Sequence, residues 1–185
     1  VLDMPNAYDT HCPVVPMRED SINFVGAKYP NREETLQALV AAGLPVRAYG
    51  RAWSRHPYDI LRTKQFKDSG VPAGRDVDRS EAYGIMASSP ATLNIHNNQD
   101  GFTMRTFEAP GVGALQVIDR ADVDRYYIPG EEVLVYESID ELIEICTRIF
   151  REPKWARQIR EAGQKRTLAE HTFDQRVKIL EQLWA

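Results

Sequence analysis

Residues 22–50 read INFVGAKYPNREETLQALVAAGLPVRAYG, and the fold is decided there. Ile22 to Gly26 is a short apolar run closed by glycine, the mark of a buried strand. Asn31 is placed to cap a helix, with Glu33 and Glu34 in its first turn, where the helix dipole favours negative charge. Leu36, Leu39 and Val40 supply the apolar stripe of that helix and Gly43 ends it. Leu44 to Tyr49 is a second strand, closed by Gly50. Strand, helix and strand joined by short loops make a βαβ unit, which requires parallel pairing and a right-handed crossover.

The same alternation continues towards the C-terminus. Residues 51–79 read as a long irregular connection with about one helical turn, and connections of this length are usually functional or mobile. Ser80 starts a helix through Met86, Ala91 to His96 is a third strand, and Asn97 to Gly101 is a polar loop. A helix from Thr103 to Pro110 precedes strands at Ala114 to Ile118 and Val133 to Tyr136. Ile139 to Phe150 is a strongly amphipathic helix, opened by Asp140 and Glu141 and closed by Arg148 and Arg151 in accord with its dipole. Trp155 to Ala169 and Thr172 to Trp184 are the last two helices. Alternating βα units of this kind build an α/β domain, an open doubly wound parallel sheet with helices on both faces. Residues 21–185 are assigned to that domain. Residues 1–20 begin on Val1 and run irregularly to Glu19, and they read as a linker from an N-terminal domain outside the sequence.

A chain of 185 residues suits one domain and buries roughly 70% of its unfolded surface. A net charge of −4 argues against nucleic acid as a partner, since counterion displacement needs a basic face. It leaves room for a small anion, which a few arginines and a helix N-terminus can hold. Cys12 and Cys146 make no disulfide framework, Cys146 lies in an apolar helical pattern, and no run of 18 apolar residues spans a membrane. A cytoplasmic protein with no transmembrane segment is expected. His11, His56 and His171 have no metal-ligand spacing with one another or with the cysteines, so no metal is expected.

In open α/β sheets ligands bind beyond the carboxyl ends of the strands. Three polar or glycine-bearing loops lie at such ends: Gly26 to Arg32, Gly50 to Arg55, and His96 to Arg105. The third reads NNQDGFTMRTFE over residues 97–108. Gly101 permits a tight turn or close approach of the backbone to a ligand. Backbone N–H groups of Phe102, Thr103 and Met104, at the start of the helix, suit a diphosphate. Glu108, five residues beyond Thr103, suits the paired hydroxyls of a ribose. His96 ends its strand at the same place and is a candidate contact, and Trp53 either stacks on a base or covers the sheet. Gly111 and Gly113 belong to the turn into the next strand.

The run DGFTMRTFEAPGVG, Asp100 to Gly113, resembles the acidic-x7-Glu signature of GT-B-type glycosyltransferases. LNIH at Leu93 to His96, RTFEA at Arg105 to Ala109, EHT at Glu170 to Thr172, YGRAW at Tyr49 to Trp53 and FVGA at residues 24–27 resemble the spore-maturation, CgeB-like branch. The resemblance covers the chain from Asn6 onward. It implies a Rossmann-like C-terminal half of a two-domain, hexosyltransferase-like enzyme. That half binds a nucleotide-diphosphate sugar as substrate, without cofactor or metal, and the N-terminal domain holds the acceptor. By the same resemblance Glu108 holds the ribose, Asp100 lies near the sugar, and the amides of Phe102 to Met104 meet the diphosphate.

Relatives carry Gly-Arg after the first strand, whereas here Ala27 follows Gly26. The basic partner of the diphosphate is therefore open among Lys28, Arg32, Arg51 and Arg105, and no catalytic base is assigned. A helix face of Phe173, Val177, Leu180 and Trp184 suits contact with the other domain. The alternative is a non-catalytic α/β module binding a nucleotide or a protein. A nicotinamide-linked dehydrogenase is disfavoured, because Gly-x-Gly-x-x-Gly does not follow the first strand.

Overall fold

The computed structural model describes residues 4–97 and 101–184, without the side chains of residues 182–184. Ile22–Val25 forms β1, Pro30–Ala41 α1 and Val46–Tyr49 β2. Pro57–Thr63 is α2, Ala73–Gly74 β3, Arg79–Ser88 α3 and Thr92–Asn94 β4. Arg105–Gly111 is α4, Gln116–Ile118 β5 and Leu134–Val135 β6, with a 3-10 turn at Ala121–Arg125 between the two strands. Ile139–Arg151 (α5), Pro153–Glu170 (α6) and Phe173–Trp184 (α7) complete the chain. The strands form one sheet in the order β3-β2-β1-β4-β5-β6, and every pair is parallel. The expected doubly wound α/β architecture is therefore present.

The two-residue period of the strands sorts their side chains into two cores. Ile22 and Phe24 of β1, Val46 and Ala48 of β2, and Leu93 of β4 pack with Leu36 and Leu39 of α1 and Leu142, Cys146 and Ile149 of α5. Val25, Tyr49 and Ile118 face the other way, onto Tyr83, Ile85 and Met86 of α3 and Phe107 of α4. Cys146 is fully buried, and burial pushes its thiol up to about 12.

Several local expectations are corrected. Asn31 does not cap α1: Tyr29 precedes the helix, Pro30 takes the first position, and no side chain caps it. The Asn31 amide instead donates to the His96 carbonyl at 2.7 Å, joining two strand-end loops. Gly43 does close α1, at φ +78°, with Leu44 N–H bonding back to the Leu39 carbonyl. The connection at 51–79 holds a whole helix, α2, and the edge strand β3. Ala73 and Gly74 carry no strand signal; β3 exists because Pro72 and its neighbours pair with β2, and a Cβ on Gly74 would lie 2.5 Å from the Tyr49 ring. α3 begins at Arg79, one residue ahead of Ser80, because Asp78 and Glu81 form a reciprocal capping box. α4 begins at Arg105, not Thr103, with Met104 at its N-cap.

The leading segment lies along the α3 and α4 face. Tyr8 pairs with Thr172, and its ring seats against Gly111 so closely that a Cβ there would lie 2.4 Å away. Glu19 is buried and accepts from the Tyr49 hydroxyl.

Candidate functional site

The strand order reverses between β1 and β4, so the loops leaving those strands diverge and open a crevice at their carboxyl ends. Two adjoining hollows occupy it. One, of about 290 Å³, is lined by Val77, Asp78, Arg79, Thr103, Met104, Arg105 and Glu108. The other, of about 350 Å³, lies between Gly26, Tyr49, Gly50, Arg51, Asp76, Val77 and Arg105. Val77 and Arg105 belong to both and form their common wall.

Buried amides hold the β4–α4 loop in place. Asn94 of β4 donates to Thr106 Oγ1 at 3.0 Å and to Gln116 Oε1 at 3.2 Å, and Gln116 donates to the Thr106 carbonyl at 3.3 Å. Thr103 Oγ1 donates to Asn94 Oδ1 at 3.4 Å. Thr106 N–H to the Thr103 carbonyl, at 3.1 Å, is the first backbone bond into α4. Thr103, Met104 and Arg105, which lead into α4, line the first hollow. Gly101 has φ +80°, the left-handed conformation that favours glycine.

Glu108 leaves 3% of its surface exposed and reaches the hollow between α3 and α4. Three donors hold its carboxylate. Arg105 Nη1 donates to Oε2 at 2.6 Å, the Tyr83 hydroxyl to Oε1 at 3.2 Å, and Arg79 Nε stands 3.6 Å from Oε1. Burial, and then the Glu108 charge, push the Tyr83 phenol well above its ordinary range, so it stays protonated and donates. The site is an acidic acceptor inside a cationic rim.

The other expected residues divide into those facing the crevice and those building its walls. Gly26, Arg51 and Arg105 line one hollow; Thr103, Met104, Arg105 and Glu108 line the other. Gly101 and Phe102 face a third, polar hollow on the far flank of the loop, with Arg120 and Tyr126. Asp100 lies outside the described residues. Arg51 pairs with Asp76 at 2.8 Å while half-exposed. Lys28, with 9% of its side chain exposed, pairs with Glu33 at 2.9 Å and lies over the Trp53 ring. Arg32 is buried and donates to the Ile95 and Ala27 carbonyls at 2.8 and 3.0 Å, clamping two strand-end loops together. Trp53 is 2% exposed and donates to the Gly26 carbonyl at 3.0 Å, so it is a packing residue. His96 is also a wall residue. Its N–H and its Nδ1 engage the Asp119 carboxylate at 2.8 and 2.7 Å, and its Nε2 is buried with no hydrogen-bond partner among the described residues. No group of three or more His, Cys, Asp or Glu gathers as metal ligands among the described residues.

Residues 32–182 match the family model described as glycosyl transferase-like (Glyco_trans_1_2). The chain belongs to the glycosyl transferase-like family. The fold of this glycosyl transferase-like domain is shared with solved structures of low sequence identity. Sucrose-phosphate synthase from Thermosynechococcus elongatus superposes with a TM-score of 0.68 at 16% identity, over 97% of this chain and 52% of its own. Anabaena Alr3699/HepE, solved in complex with UDP-glucose, gives 0.65 at 14% identity, over 89% and 48%. The DNA-modifying β-glucosyltransferase gives 0.63 at 12% identity, over 84% and 49%. The domain thus spans about half the length of these structures. Comparison of the sequence with curated proteins gave no match.

Three residues of the crevice and its walls escaped the sequence reading: Arg79, Tyr83 and Asp119. Asp119 directly follows the strand run ending at Ile118, and that placement was an available signal. Arg79 and Tyr83 open the helix after β3, and a strand of Ala-Gly gives no warning that its carboxyl end reaches the crevice. No helix among the described residues is long and apolar enough to cross a membrane.

Proposed function

We propose that this domain is the donor-binding half of a GT-B-type glycosyltransferase of the CgeB-like branch, taking a nucleoside diphosphate sugar as substrate. One observation carries the reading: Glu108, buried yet open to the crevice at the switch point, lies beside an arginine shared with the adjoining hollow. A carboxylate in that setting accepts two hydrogen bonds from neighbouring hydroxyls, the pattern a ribose presents. Arg105, with the amides ahead of α4, supplies positive potential for the diphosphate, and a planar guanidinium matches phosphate oxygens in pairs. Two arginines at one rim take the charge-neutralising part that a cation would otherwise play. UDP-glucose in the Anabaena structure of the same fold supports the ligand class.

The glycosyl acceptor is held by an N-terminal GT-B domain of the same protein. The protein is cytoplasmic on this reading, and transfer needs both halves. Titration calorimetry of the folded chain with UDP, GDP, ADP and dTDP, alone and as sugar conjugates, tests the proposal. Binding of at least one is expected, and Glu108→Ala should weaken it by about 1–3 kcal/mol. Folded protein that binds none of them sinks the reading.

A further inference from the structure

Both carboxylate oxygens of Glu108 are engaged. Arg105 Nη1 sits 2.6 Å from Oε2, while Tyr83 and Arg79 serve Oε1 at 3.2 and 3.6 Å. These three partners differ in what else they touch. Tyr83 is wholly buried. Arg79 is about half-exposed and is shared with Asp9 of the leading segment at 3.6 Å. Arg105 keeps 28% of its side chain exposed and is the basic residue common to both hollows. Of the other basic candidates, Arg51 and Lys28 are engaged with Asp76 and Glu33.

We infer that Arg105 is an exchange residue. Its guanidinium covers Oε2 of Glu108, an oxygen a ribose would use, and the diphosphate of the donor draws the guanidinium off and uncovers that oxygen. The inference rests on the nucleotide-sugar reading above and adds a coupling between its two halves. A diphosphate carries more charge than one carboxylate and matches the guanidinium in pairs, so it outcompetes Glu108 for Arg105. Glu108 does not become an unpaired buried charge when Arg105 leaves, because Tyr83 and Arg79 remain on Oε1. The site would therefore bind nucleoside diphosphates well and bare nucleosides disproportionately poorly, since a nucleoside has to displace Arg105 with nothing to offer it.

The coupling predicts opposite signs for two ligands in one variant. Calorimetry with uridine and UDP, and with guanosine and GDP, is compared between the wild type and Arg105→Met, both shown folded by circular dichroism. Arg105→Met should lose diphosphate affinity by about tenfold or more, and gain nucleoside affinity by about threefold as Oε2 is uncovered. Arg105→Lys keeps the charge but not the paired geometry. It should recover part of the diphosphate affinity and hold nucleoside affinity at the wild-type level. Wild-type binding of UDP or GDP, with nucleoside and diphosphate weakened in parallel by Arg105→Met, overturns the exchange and leaves the nucleotide-sugar reading standing. Absence of any nucleotide binding by the folded wild type overturns both.

Discussion

Replacing Gly163 by alanine should not stabilise the domain, against helix propensity. Gly163 lies inside α6, an 18-residue helix, where exchanging glycine for alanine ordinarily gains about 1 kcal/mol. Here the added Cβ would sit 2.3 Å from the Glu132 carbonyl oxygen and 3.3 Å from its carbon. Relief to ordinary contact requires a shift of about 1 Å, and the obstacle is backbone, which cannot swing aside as a side chain can. Overpacking of this kind costs about 1–3 kcal/mol, so the ordinary gain is cancelled or turned into a loss of up to about 2 kcal/mol. The shift would reach the site. α6 also contacts α4 through Gln164, which donates to the Gly111 carbonyl at 3.3 Å, and α4 carries Glu108. Urea unfolding followed by tryptophan fluorescence measures the change, with Gln158→Ala on the exposed side of α6 as the control for propensity alone. A Gly163→Ala protein stabilised by the ordinary gain of about 1 kcal/mol refutes the close approach of α6 to the Glu132 backbone.

Trp53→Phe removes the hydrogen bond to the Gly26 carbonyl and leaves a gap in a fully packed position. A loss of about 1–3 kcal/mol is expected in the same unfolding assay, and unchanged stability would mean that Trp53 does not hold the loop after β1. His171 accepts from Arg176 at Nδ1 and lies 3.0 Å from the Tyr126 carbonyl through Nε2, so it is a neutral imidazole. Burial, chiefly, lowers its pKa below the ordinary 6.5. The unfolded chain therefore takes up a proton first as pH falls through 6.5, and the folded state loses stability from there down to the lowered native value. A pH series of unfolding midpoints should show this acid-side decline in the wild type and a flatter profile in His171→Gln; matching profiles would exclude His171 as its source.

The architecture was legible where periodicity and punctuation agreed. Residues 22–50 carry a two-residue apolar period, a helical stripe and glycines at the right places, and β1, α1 and β2 formed within a few positions of the expectation. α5 was equally plain, since its apolar spacing and end charges point the same way. The β3 strand was not legible: Ala73 and Gly74 have neither bulk nor branching, and their pairing follows from β2 lying alongside. The site was read in part. Glu108, Arg105, Thr103 and Met104 are local in sequence, and the loop-and-helix pattern gathers them. Arg79 and Tyr83 lie some 25 residues upstream and meet Glu108 through the packing of α3 against α4.

By itself the sequence determined the βαβ repetition and the parallel sheet, because hydrophobic period and turn chemistry act over a few neighbouring residues. The tertiary structure alone decided which partner each charge meets. Lys28 and Arg32 look as available as Arg105 in the linear chain. Folding pairs Lys28 with Glu33, closes Arg32 on two carbonyls, and sets Arg105 against Glu108 on the wall between two hollows. The reason is physical: a charge takes its role from the partners within a few ångströms, and those partners come from loops that become neighbours only when the sheet closes.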